Sequence, residues 1–152
     1  MHFTLPPLAM LALVPTFISA QNATVVTDNP VGVSYGATLP DLTTTDIRGS
    51  FVAQSDASGT GVLFQVSLSG FPDEGQPFLY HIHENPISGG NCSTAGGHLD
   101  PFERGDSPAC VADLPQTCQV GDLSGKHGKI NGTGFSAKFV ESSLHCMYFA
   151  RR

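Results

Sequence analysis

The run "GVLFQVSLSGF", from Gly61 to Phe71, admits few folds. Val62, Phe64, Val66 and Leu68 alternate with Leu63, Gln65, Ser67 and Ser69. Successive side chains of an extended chain point to opposite faces, so one face of this segment is apolar and the other mostly polar. It reads as one wall of a packed sheet. "DIRGSFVAQS" (Asp46 to Ser55) and "FLYHIHE" (Phe78 to Glu84) predict two further strands, and "DASGTG" (Asp56 to Gly61) predicts the hairpin turn that joins the first of them to the Gly61 run. A long stretch rich in Gly, Pro and Asp follows, from Asn85 to Gly125. "HGKINGTGFSAKFV" then resumes the pattern, and its Ile130, Phe135 and Phe139 suggest one more hairpin. With 17 Gly and 11 Pro in 152 residues and no internal repeat, the expectation is one all-β domain, a sandwich or barrel carrying a long functional loop.

Residues 1–20 stand apart from this pattern. "MHFTLPPLAMLALVPTFISA" contains no Lys, Arg, Asp or Glu and ends in the small residues Ser19 and Ala20, as a secretory signal peptide does, which leaves 21–152 as the domain. Pro6, Pro7 and Pro15 argue against a long helix there, and the stretch is short for a membrane span. Three Asn-x-Ser/Thr acceptors, at Asn22, Asn91 and Asn131, suit passage through the secretory pathway. Disulfides persist in that compartment. Cys92, Cys110, Cys118 and Cys146 allow three connectivities, and Cys110 with Cys118 close a short loop around Pro115. Thirteen Asp plus Glu against seven Lys plus Arg give a net charge of −6, with no basic stripe and no aromatic ladder, which speaks against a nucleic-acid partner. "HCMYFARR" at the C-terminus is not the apolar tail of a lipid-anchor signal. The expected product is secreted, extracellular or in the cell wall, with no membrane anchor.

Three of the six histidines crowd into "YHIHENPISGGNCSTAGGHLDP", from Tyr80 to Pro101. On a strand, residues two apart project from one face, so His81 and His83 can reach one ion while Ile82 packs on the opposite side. The loop beginning at Asn85 can fold back to bring His98 to the same point. Imidazole ligands at a tetragonal centre suit Cu(II), and the lack of a nearby Cys pair argues against structural zinc. The alternative is a chance His-x-His on an exposed strand face.

"HIHE", a Cys at the head of a loop, "GGHLDP" and then "VGDLSGKHG" resemble the copper/zinc superoxide dismutase family, the last motif being most similar to its secreted, copper-only fungal branch. The resemblance runs from about Val31 to Leu144. It implies a Greek-key β-barrel, bound copper and the disproportionation of superoxide to oxygen and hydrogen peroxide. It makes His81 and His83 the paired copper ligands and His98 the histidine that bridges copper and zinc in two-metal members. Asp122 matches an aspartate that ligates zinc there. The other two zinc histidines have no counterpart, with Gln119 standing where one is expected, so zinc is not expected to bind. Asp122 then becomes an acceptor that orients the His98 ring. In the family two more strands follow, carrying a fourth copper histidine, an arginine and the cysteine that pairs with the counterpart of Cys92. The expectation is therefore a barrel lacking its last two strands, with Cys92 turned toward Cys146 once Cys110 is paired with Cys118. His145 and Arg151 have suitable residue types without the family's surrounding pattern, and His127 reads as a surface residue. A noncatalytic extracellular copper-binding β-domain is the alternative to a dismutase, and oligomeric state is left open.

Overall fold

The computed structural model describes residues 21–150. The expected signal peptide over 1–20 and Arg151 lie outside the described residues. Four antiparallel strands, β1 (Ser34–Thr38), β2 (Arg48–Ser55), β3 (Val62–Ser69) and β4 (Gly134–Glu141), form one sheet in the order β1-β2-β3-β4. The all-β expectation holds, and the sheet is not closed: among the described residues β1 and β4 are its two edges. The turn at Asp56–Gly61 joins β2 and β3 as expected, with Ser55 opposite Val62 and Arg48 opposite Ser69.

β3 alternates as its sequence predicts. Val62, Phe64, Val66 and Leu68 are buried, while Gln65, Ser67 and Ser69 are exposed. Phe64 stacks on Phe139 of β4 at 5.5 Å, and the core continues through Val120, Leu123, Ile130 and Leu144. Buried Asn29 ties the chain's beginning to its end: its amide donates to Gly61 O and Leu144 O at 2.9 and 3.0 Å and accepts from Cys146 N at 2.7 Å.

Two expected elements are absent. Phe78–Glu84 is extended but pairs only through isolated bridges, Phe78 with Ile130 and His83 with His98. Its alternation is that of a strand, but no neighbouring strand lies alongside it among the described residues. The hairpin expected in "HGKINGTGFSAKFV" does not form either, because Ile130 bonds to Phe78 while β4 pairs with β3. β1 has no signature in the sequence, because its "SYGAT" lacks apolar periodicity.

A five-residue helix, α1 (Leu123–His127), packs on the end of β4 through a buried ion pair, Lys126 Nζ to Glu141 Oε2 at 2.6 Å. The ammonium also donates to Val120 O at 2.8 Å. Burial pulls Lys126 below its ordinary 10.5, and Glu141 opposes that shift. His127 is not the free surface residue its setting suggested. It stacks on Phe139 at 3.8 Å and reaches Glu141 Oε2 at 3.2 Å. A short helix, α2 (Met147–Ala150), follows β4.

Candidate metal centre

A ring of three backbone hydrogen bonds assembles the site. Ile82 N donates to Gly121 O at 2.9 Å, Leu99 N to Ile82 O at 2.8 Å, and Gly121 N to Leu99 O at 2.8 Å. Three segments distant in sequence thus meet at single residues, and each of those residues neighbours a predicted site residue. Ile82 lies between His81 and His83, Leu99 follows His98, and Gly121 precedes Asp122. Only glycine fits the third corner, since a Cβ there would lie 2.2 Å from Ile82 O and 2.8 Å from Leu99 N.

The ring delivers the three histidines to one point. Each offers a ring nitrogen, and these atoms lie within 4.8 Å of one another. His81 and His98 stack with centroids 3.9 Å apart, and His83 stands edge-on to His98 at 5.4 Å. All three rings are half-buried. Burial, reinforced by neighbouring His98, lowers His81 below its ordinary 6.5 against the opposing pull of Asp122. Its imidazole is thereby kept neutral, the form that binds a metal.

Outer contacts select the tautomers. His83 Nδ1 donates to Gly96 O at 3.1 Å, which leaves its lone pair on Nε2. His98 Nδ1 meets Gln119 Oε1 at 2.7 Å with the same result. His81 instead turns Nε2 toward Asp122 Oδ1, 3.5 Å away, and presents Nδ1. The partner of His98 is therefore Gln119, and Asp122 stands beside His81 rather than His98. Asp122 also caps α1, accepting from Gly125 N at 2.8 Å. The backbone turn carrying Gln119 also places Asp122, whose N–H donates to Gln119 O at 3.1 Å. In the sequence Gln119 showed only as the place of an absent histidine.

Two cavities flank the histidines. A polar one of about 450 Å³ on the His83 and His98 side is rimmed by Glu84, Asp100, Glu103 and Asp106. An apolar one of about 570 Å³ lies on the His81 side. His145 takes no part, its Nε2 lying 3.9 Å from Asp28 Oδ1. The disulfide Cys110–Cys118 is present. The expected Cys92–Cys146 bond is not: both are free, Cys92 exposed at the start of a 3-10 turn and Cys146 buried against the core. A count of cysteines could not foresee that these two occupy such different environments.

No protein-family model matches the chain. It is 36% identical to a cell surface Cu-only superoxide dismutase of Arthroderma benhamiae, over 87% of this chain and 42% of that protein. With cell surface Cu-only superoxide dismutase 5 of Candida albicans it shares 33% identity over 87% of this chain and 56% of the relative. The chain thus spans about half the length of the curated relatives it matches. The solved Cu(II) structure of Candida albicans superoxide dismutase 5 superposes with a TM-score of 0.59 at 33% identity, covering 70% of this chain and 67% of that one. A single-site mutant of the same enzyme gives 0.63 at 32% identity, over 73% and 68%.

Proposed function

The chain belongs to the copper/zinc superoxide dismutase family, alongside its fungal cell-surface members, and from that premise we propose that it is an extracellular copper protein that disproportionates superoxide. The observation that carries this reading is the convergence of His81, His83 and His98. Three imidazoles, each with its second nitrogen turned to an outer partner, suit copper. When bound, copper supplies the one-electron couple that takes an electron from one superoxide and returns it to another.

His81 offers Nδ1, and His83 and His98 offer Nε2. The backbone ring holds their spacing, and Gly96 O and Gln119 Oε1 hold two of the imidazole planes. Gln119 and Asp122 are the groups that orient His98 and His81. Zinc is not expected. The second nitrogen of His98 faces an amide oxygen, and Asp122 is engaged by His81 and the α1 cap, so no second ligand set assembles among the described residues. Glu84, Asp100, Glu103 and Asp106 at the rim repel an approaching anion, so capture is slow at low salt.

Stopped-flow superoxide decay with copper-loaded, dialysed protein tests the reading. Decay should exceed that of free copper at equal concentration, fall in His98→Ala, and quicken with added salt as the acidic rim is screened. Stoichiometric copper without turnover would support the noncatalytic copper-binding domain instead.

A further inference from the structure

We infer, on the copper reading proposed above, that Ser124 is a positioning residue for the metal centre: its buried hydroxyl stands in for a neighbouring strand at Tyr80 and fixes the main chain from which His81 projects. One edge of the segment from Phe78 to Glu84 is occupied at every second residue. Phe78 N donates to Ile130 O and Ile130 N to Phe78 O, both at 2.9 Å. Ile82 is bonded to Gly121 and Leu99, and Glu84 N donates to Gly97 O at 3.1 Å. Alternate residues of an extended chain turn their N–H and C=O to the same edge, so Tyr80 presents its own pair between these. No main-chain group accepts the Tyr80 N–H among the described residues. Ser124 Oγ does, at 2.6 Å, and the same hydroxyl donates to Tyr80 O at 3.0 Å. Ser124 N also donates to Tyr80 O, at 3.2 Å.

A hydroxyl suits this place because one small group both donates and accepts. Ser124 is 4% exposed and Tyr80 8%, which leaves little access for water to replace the oxygen. Alanine would keep the bond from Ser124 N to Tyr80 O but orphan the Tyr80 N–H, so the main chain must shift to find it an acceptor.

That shift would fall on His81. α1 carries Ser124 two residues after its N-cap Asp122, whose Oδ1 lies 3.5 Å from His81 Nε2. The helix therefore holds this ligand at both ends, the main chain through Ser124 and the ring through Asp122. It is itself pinned by the buried pair of Lys126 with Glu141. A movement of Tyr80 against α1 takes His81 out of its 3.9 Å stack on His98. His83 and His98 are held by Gly96 O and Gln119 Oε1, neither of which belongs to α1.

Ser124→Ala and Ser124→Thr test the inference, with Val62→Ala as control, since it trims the buried core in β3 and removes none of these hydrogen bonds. In Ser124→Ala, copper affinity from chelator competition should fall about tenfold or more. The Cu(II) electron paramagnetic resonance spectrum should move toward fewer nitrogen ligands, and in metal-free protein the ring-proton resonances of His81 should shift while those of His83 hold. Ser124→Thr keeps the oxygen and should restore all three. Val62→Ala should lower the melting temperature and leave them alone. A Ser124→Ala protein with the parent's affinity, spectrum and His81 resonances overturns the inference. So does a Val62→Ala protein whose site changes as much, or a Ser124→Thr protein that melts like the parent yet keeps the altered spectrum. The His81 resonances need no metal, so a parent that takes up no copper would end the copper reading while those resonances still decide the role of Ser124.

Discussion

Gly121→Ala tests whether the backbone ring is what holds the metal centre. The added methyl carbon would sit 2.2 Å from Ile82 O and 2.8 Å from Leu99 N. Carbon needs about 3.5 Å, so main chain must retreat by about 1 Å on two sides. A movement of that size breaks the bonds from Ile82 N to Gly121 O and from Leu99 N to Ile82 O. Two lost bonds, each leaving a donor or acceptor poorly paired beside the core, cost about 3 kcal/mol. For a domain of this size that is a fall in Tm of about 10 °C. The same displacement separates His81 and His83 from His98, so copper affinity should fall along with stability. Gly36→Ala is the control, because nothing lies within 4 Å of a Cβ there. The assay is urea unfolding followed by circular dichroism, with copper affinity from chelator competition. A Gly121→Ala protein within about 1 kcal/mol of the parent, with unchanged copper affinity, would refute the role given to the ring.

Other outcomes follow from features away from the histidines. Lys126→Met or Glu141→Gln alone should cost about 3–5 kcal/mol, because each strands a buried charge, whereas Lys126→Met combined with Glu141→Leu should recover most of the loss in a urea double-mutant cycle. Burial raises the Tyr80 hydroxyl from 10.0 to about 12, so above pH 10 the unfolded state releases this proton first and stability falls as pH rises toward 12. Tyr80→Phe removes a buried hydroxyl that lacks a hydrogen-bond partner, and should leave the melt at pH 7 unchanged or higher while flattening the alkaline decline. In the native protein a thiol reagent should label Cys92 and spare Cys146 until denaturant is added. Loss of the Cys110–Cys118 bond, across a separation of 8 residues, should cost about 2.5 kcal/mol in a thermal melt of the double serine variant.

What could be read ahead of the structure was what local periodicity encodes. The alternation of β3 is a property of eight consecutive residues, and so is the shared face of His81 and His83, and both appear where the pattern put them. β1 could not be found that way: four of its five residues are exposed, and its pairing is dictated by β2. Phe78–Glu84 shows the opposite failure, a strand-like pattern without a strand alongside it. Ile130 reads as part of a local hairpin because its true partner, Phe78, lies far back in the chain. At the site the ligand types were legible, but which acceptor faces which ring was not. Gln119 reaches His98, and Asp122 reaches His81, only because a turn and a short helix place them, and neither has a periodic signature. The Cys92–Cys146 pairing failed for the same reason, since spacing says nothing of burial, whereas the short Cys110–Cys118 loop closed as expected.

The segment bearing His81 and His83 lies outside the sheet and is held by isolated bridges and the ring at Gly121. The site can therefore open while β2 and β3 remain paired, and amide exchange should separate the two events. The amides of Ile82, Leu99 and Gly121 exchange through this smaller opening, and those of central β3 only when the whole domain unfolds. An ion gripping His83 and His98 spans the bridge between them and must be released before the segments part. Protection at those three amides then rises with the logarithm of free metal concentration, while β3 responds only to the extent that the ion stabilises the entire fold. Three backbone protons thus become a gauge of occupancy that needs no spectroscopic signal from the ion.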